Sequence, residues 1–173
     1  MSQADERAQM AAEAMLERNF VKSPPVNVVE LSKSEGLSVA MAYFSDQARQ
    51  VAGYIDLEQQ SVVVNAVDRP NRQRFTIAHE LGHWALHQDQ LQNNPERGVL
   101  MRVPLGTSNR DPVEREANVF AANLLVPQAF LRTLLPSFGR KGQYHPDDIP
   151  DLARTFVVSE DVIGFRLQIC GLL

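Results

Sequence analysis

Apolar positions over the first twenty residues recur at helical spacing. Ala8, Ala11, Met15 and Phe20 predict an amphipathic helix over about 2–20, which Ser23-Pro24-Pro25 ends because a residue before proline avoids helical geometry. A second, short helix is predicted over about 27–35, with Gly36 where a helix commonly stops. The rhythm then shortens into three β-type stretches, 37–44, 51–57 and 61–67, rich in branched and aromatic residues. Glu58-Gln59-Gln60 is short enough to make the last two a hairpin. Helical periodicity returns over about 70–87. The stretch 88–110 reads as a loop that is long for a small domain, with Asn93-Asn94-Pro95 and Gly106 inside it. Asp111-Pro112 opens another helix, with an N-capping acid and a first-turn proline, that runs to 126 and stops before Pro127. Further helices are expected over 128–138 and about 148–171. This order predicts an α+β fold, in which a helical domain carries a small three-stranded antiparallel sheet and a C-terminal helical subdomain.

Composition narrows the picture. A chain of 173 residues is one domain's length, and 44% hydrophobic with 22% charged residues is ordinary for a globular protein. We expect one domain over 1–173, with a core over about 1–138 and a helical tail over about 147–173. The balance of 17 basic against 21 acidic residues, formally -4, lacks the positive surplus of a duplex-binding protein. Acidic and basic residues interrupt the amino terminus, and no uninterrupted apolar run approaches the ~18 residues of a membrane helix. The lone Cys170 can form neither an internal disulfide nor a cysteine-rich zinc cage, and reads as a packed side chain. These features predict a cytoplasmic protein with neither membrane nor nucleic acid as its direct partner.

Chemistry enters at His79-Glu80-Leu81-Gly82-His83, a His-Glu-x-x-His sequence inside the third predicted helix. Histidines four residues apart project from one face, so two imidazoles can converge on one metal ion. Glu80, about 100° round the helix, is the candidate general base for a water that zinc acidifies. Phe75, Ile77, Ala78, Leu81, Trp84, Ala85 and Leu86 surround the histidines, so this central helix should be buried, with a metal satisfying its polar groups together. Gly82 would let another backbone pack closely.

Zinc at a catalytic site usually takes three protein ligands. On the next helix, Glu114 projects with Ala117, Ala121, Leu124 and Leu125, whereas Glu116 falls on the opposite side with Asn123. A carboxylate on an apolar face needs something positive opposite it, which makes Glu114 the third candidate ligand. Two other readings stand beside it: Glu114 as the closing member of a capping box with Asp111, and an exposed Glu116 as the ligand. Asn118, one turn beyond Glu114, is placed to orient a ligand by hydrogen bonding.

The stretch from Arg74 to His83, followed by Glu114 to Pro127, closely resembles the ImmA/IrrE family of metallopeptidases. The similarity extends upstream through Pro24-Pro25-Val26 and Val62-Val63-Val64-Asn65, and downstream to Leu152-Ala153 and Val158-Ser159. The resemblance implies a gluzincin-like zinc endopeptidase with His79, His83 and Glu114 as ligands, Glu80 as catalytic residue and one Zn2+, with Mn2+ as the substitute. It also implies regulatory proteolysis in a stress response, in which a helix-turn-helix repressor or antitoxin encoded nearby is cleaved or inactivated. Other members resemble non-proteolytic toxin or signal-sensing partners of such repressors. The strand over 61–67 is a candidate edge for an extended substrate, and Tyr144 and His145 are candidates for stabilising an oxyanion.

Weaker signals carry two readings each. His87 continues the histidine stripe, as a helper of ligand or substrate, or as a helix-end residue favoured by the dipole. Arg69, Arg72 and Arg74 form either a solvated face or a surface that steers an acidic partner. The tail from Asp151 to Ser159, with Arg166 following, has a helix-turn-helix rhythm. Its surrounding acids favour a structural or docking role over DNA contact.

Overall fold

The computed structural model describes residues 2–45, 50–93, 99–101 and 111–173. Helix α1 (Gln3–Arg18) starts at a reciprocal capping box, in which Ser2 and Asp5 each accept the other's backbone N–H. Its buried stripe is Ala8, Ala12, Met15 and Leu16. Phe20, expected to continue that stripe, instead lies beyond the helix end at φ 54° and is exposed. Helix α2 (Val28–Ser34) is capped by Asn27 and followed by Gly36 at φ 85°.

The sheet departs from the antiparallel expectation. Strands β1 (Ser38–Ala42), β2 (Val51–Asp56), β3 (Ser61–Asn65) and β4 (Val99–Met101) form one mixed sheet in the order β1-β3-β2-β4. β2 and β3 are the expected hairpin, but β1 runs parallel to β3, with Val39 opposite Val62 and Met41 opposite Val64. The reason lies in side-chain burial. Val62, Val64, Ser61 and Asn65 are all buried, so β3 is covered on both faces and takes the centre. β1, with Met41 half-exposed, takes an edge. β4 and a short helix α4 (Gln88–Asn93) occupy part of the stretch expected to be a loop, and its remainder lies outside the described residues.

Helix α3 (Pro70–Leu86) lies against the sheet, and helix α5 (Pro112–Leu125) is packed between α1 and α3. Two glycines set these distances. A Cβ on Gly53 of β2 would stand 2.5 Å from Thr76 Cγ2 and 2.6 Å from the Val63 carbonyl oxygen. A Cβ on Gly82 of α3 would stand 3.2 Å from Ala117 Cα and 3.1 Å from Phe120. The start of α3 is fastened as well. Gln73 donates to the carbonyls of Asn65 and Ala66, and Arg74 donates to those of Val26, Phe156 and Val157. Arg74 therefore joins the amino-terminal and carboxy-terminal ends of the resemblance to the central helix, and its guanidinium is committed inside the fold.

Helix α6 (Gln128–Leu134) runs into a single 3-10 turn, and the tail forms helices α7 (Ile149–Phe156) and α8 (Glu160–Ile169). Val157, at φ 54°, and Ser159, which caps α8, divide the helical span 148–171 into these two helices. One cluster of buried apolar side chains runs from Ala8 to Leu172 and includes Leu152, Phe156, Ile163 and Leu167 of the tail. The span Pro112–Phe138 has the length and hydropathy of a membrane helix. It is instead two helices turning at Val126-Pro127, and α5 is almost wholly enclosed over its second half.

Candidate metal centre

The fold brings three of the expected residues to one point. His79 and His83 are buried on α3, and Glu114 reaches them from the first turn of α5. Their Nε2 atoms are 3.0 Å apart, and the Glu114 carboxylate oxygens stand 3.3 Å from His79 Nε2 and 3.1 Å from His83 Nε2. Among the described residues these three form a group whose ligand atoms all lie within 4.8 Å of one another. Asp111 caps α5 by accepting from Val113 N, so Glu114 is not needed for a capping box and is turned toward the histidines.

The outer nitrogens decide where the protons sit. With the Asn118 amide oxygen 3.0 Å from His79 Nδ1, that nitrogen must donate, which leaves Nε2 of the neutral ring as a lone pair. This is the orienting contact expected of Asn118. His83 Nδ1 is 3.1 Å from His87 Nδ1, and His87 Nε2 is 2.9 Å from Glu116 Oε2. Burial lowers the proton affinity of His83, opposing an imidazolium there. Burial pushes the Glu114 carboxyl up, but the two histidines against it outweigh that and hold it far below the usual carboxylate range. A cation at the common point would satisfy all of these acceptor atoms at once, including Glu114 Oε1, which lacks a hydrogen-bond partner. Two imidazoles and one carboxylate are a donor set that suits zinc.

Glu80 is fully buried, and neither carboxylate oxygen has a hydrogen-bond partner. Burial first, and the nearby Glu114 charge second, push its carboxyl well above the usual range. A raised proton affinity is the property required of a group that takes up and returns a proton.

The sequence pattern of peptidase family M78, described as the IrrE N-terminal-like domain, matches residues 23–168. The chain belongs to this family. It is 34% identical over 91 residues to the radiation response metalloprotease IrrE of Deinococcus radiodurans, covering 53% of this chain and 26% of that one. To the protein of the same name from Deinococcus deserti it is 35% identical over 112 residues, covering 62% of this chain and 35% of that one. The chain thus spans about a quarter to a third of these relatives' length. A solved structure of a Mycobacterium tuberculosis transcriptional regulator has the same fold, with a TM-score of 0.64 at 21% identity, over 93% of this chain and 46% of that one. Helix α1 lies outside the family-matched residues.

Other expected residues are placed elsewhere. Tyr144 is buried, its hydroxyl donates to the Leu131 carbonyl at 2.6 Å, and burial pushes it up to about 12. His145 caps a 3-10 turn beside Asp147. The Tyr144 hydroxyl proton is thereby committed to a backbone carbonyl. The strand over 61–67 has no open edge, because β1 and β2 flank it, so the described sheet leaves its outer edges on β1 and β4. Glu116 is not exposed: α1 covers it, and Arg7 binds its carboxylate at 2.6 and 2.5 Å. His87 was readable as a third member of the histidine stripe. Its partner Glu116 was not, since the pairing depends on how α5 packs against the end of α3.

Proposed function

We propose that the chain is a cytoplasmic zinc-dependent regulatory endopeptidase whose substrate is a helix-turn-helix repressor or antitoxin encoded beside it. The observation that carries the enzymatic part is the convergence of His79, His83 and Glu114 next to a buried, unpartnered Glu80. His79, His83 and Glu114 would hold the metal. Bound there, zinc would supply a Lewis acid for a peptide carbonyl and for the attacking water. Glu80 accepts the proton of the attacking water at its carboxylate and returns it to the leaving amine. Phe75, Ile77 and Leu81 on the same helix are buried, and the Phe75 ring lies near that of His79. Asn118 keeps His79 in the tautomer with its lone pair inward. Family membership and the relatives' names support the protease class, and the acidic balance favours a DNA-binding protein over DNA itself as target.

The test is incubation of the purified repressor with zinc-loaded protein. Two repressor fragments are expected with the wild-type chain, and none with Glu80→Gln, which should still retain one zinc per chain by elemental analysis. Cleavage by Glu80→Gln at the wild-type rate would sink the assignment of Glu80. A repressor left whole, yet released from its operator by the zinc-loaded chain, would replace proteolysis with inactivation by binding.

A further inference from the structure

The contacts outside the three candidate ligands form a chain that starts on α1. Arg7 clasps Glu116 through Nε at 2.6 Å and through its second nitrogen at 2.5 Å. Glu116 Oε2 lies 2.9 Å from His87 Nε2, and His87 Nδ1 lies 3.1 Å from His83 Nδ1. His87 and Glu116 are 1% and 4% exposed, so water does not substitute for either contact. We infer that Arg7, Glu116 and His87 are positioning residues that fix the tautomer and ring orientation of His83, so that helix α1 tunes the metal centre.

Proton counting gives the direction of the relay. A carboxylate only accepts, so the proton on this edge of His87 sits on Nε2. A neutral His87 then offers a bare Nδ1, and the single proton between the two facing Nδ1 atoms belongs to His83. That leaves His83 Nε2 as a lone pair aimed at His79 Nε2 and Glu114. Arg7 fixes the start of this chain: its two-pronged bond holds the Glu116 carboxylate in place, with Oε2 against His87 Nε2. Outer hydrogen bonds of this kind ordinarily change metal affinity by about 10–100-fold. Arg7 comes from an element outside the residues matched by the family pattern, so this input is not one that the matched residues supply.

The inference rests on the metal reading above, and the experiment separates the two. Zinc affinity of the full chain is measured by competition with a chromophoric chelator, and the histidine tautomers of the metal-free chain by 15N-correlated NMR. His87→Phe should weaken zinc by about 10–100-fold, while His87→Gln, whose amide can accept from His83 and donate to Glu116, should recover most of it. Arg7→Met should weaken zinc in the same direction by less, without loss of the metal-free fold. His83 in the metal-free wild type should show its proton on Nδ1. If His87→Phe does not fold, Arg7→Met and the tautomer measurement decide. Zinc binding by the folded variants within about twofold of wild type, or a proton on His83 Nε2, would overturn the relay while leaving the metal reading intact. A wild-type chain that binds no zinc would overturn both.

Discussion

A buried carboxyl without a hydrogen-bond partner costs a folded chain on the order of 1–3 kcal/mol, and Glu80 is such a group on both oxygens. Nothing about helix formation or core packing calls for it, since Ala78 and Leu81 beside it are fully buried without polar cost. The proton transfer proposed for Glu80 gives a reason for its presence, a use that would set local stability against activity. Replacing Glu80 by methionine, similar in length and apolar, should therefore raise the stability of the metal-free chain by about 1–3 kcal/mol while removing any cleavage. Urea unfolding in the presence of a chelator measures the first effect. A lower midpoint for Glu80→Met would show that Glu80 has a stabilising partner after all.

The elements around this residue are held at distances that two glycines permit. At Gly53 a methyl group would enter the space of Thr76 Cγ2 and of a backbone oxygen of β3, which cannot swing away. Gly53→Ala should lower stability by about 1–3 kcal/mol, read as a lower urea midpoint at unchanged slope. An unchanged midpoint would show that β2 and α3 can part without loss. The added methyl also presses on α3 one turn before His79. This coupling of sheet to helix was invisible in the sequence, whereas the helix itself and its His79-Glu80-His83 face were legible because their spacing is local. Glu114 was legible for a similar reason, its position relative to Ala117 and Ala121 on one helix. The direction of β1 was not, because parallel pairing depends on where the chain crosses rather than on alternation. The run Val62-Val63-Val64 did carry a signal for a central strand, since a strand facing solvent on one side alternates. The environment of Glu116 failed for the complementary reason: a helical projection shows which side is polar, not which other helix will cover it.

Across the whole molecule, α1 is tied at its start to α5, far off in sequence, and at its end to the neighbouring α2, and these ties are where pH should act. At its start, Arg115 on α5 bonds Asp5 at 2.8 and 3.2 Å. At its end, Arg18 bonds Glu35 at 2.8 and 2.6 Å, with Asn19 adding a contact at 3.1 Å. Burial pushes the Asp5 carboxyl up, but the Ser2 backbone N–H and the Arg115 guanidinium outweigh it and leave it below the usual value. The Arg18 guanidinium, against a smaller opposing effect of burial, holds Glu35 below its usual value as well. Carboxyls depressed in the folded state stabilise it above their unfolded pKa, about 4, and that contribution disappears as pH falls through the lower folded values. The arginine side chains are about half exposed, so solvent screens each pair and its net worth is small. The signature is therefore a slope rather than a large loss at neutrality. A double variant, Asp5→Asn with Glu35→Gln, should be slightly less stable than wild type at pH 7, and the gap should close as the pH is lowered below about 4. Urea midpoints measured from neutral to acid pH at low salt test this. Parallel curves for the two proteins would mean that the terminal ion pairs of α1 add nothing to its hold.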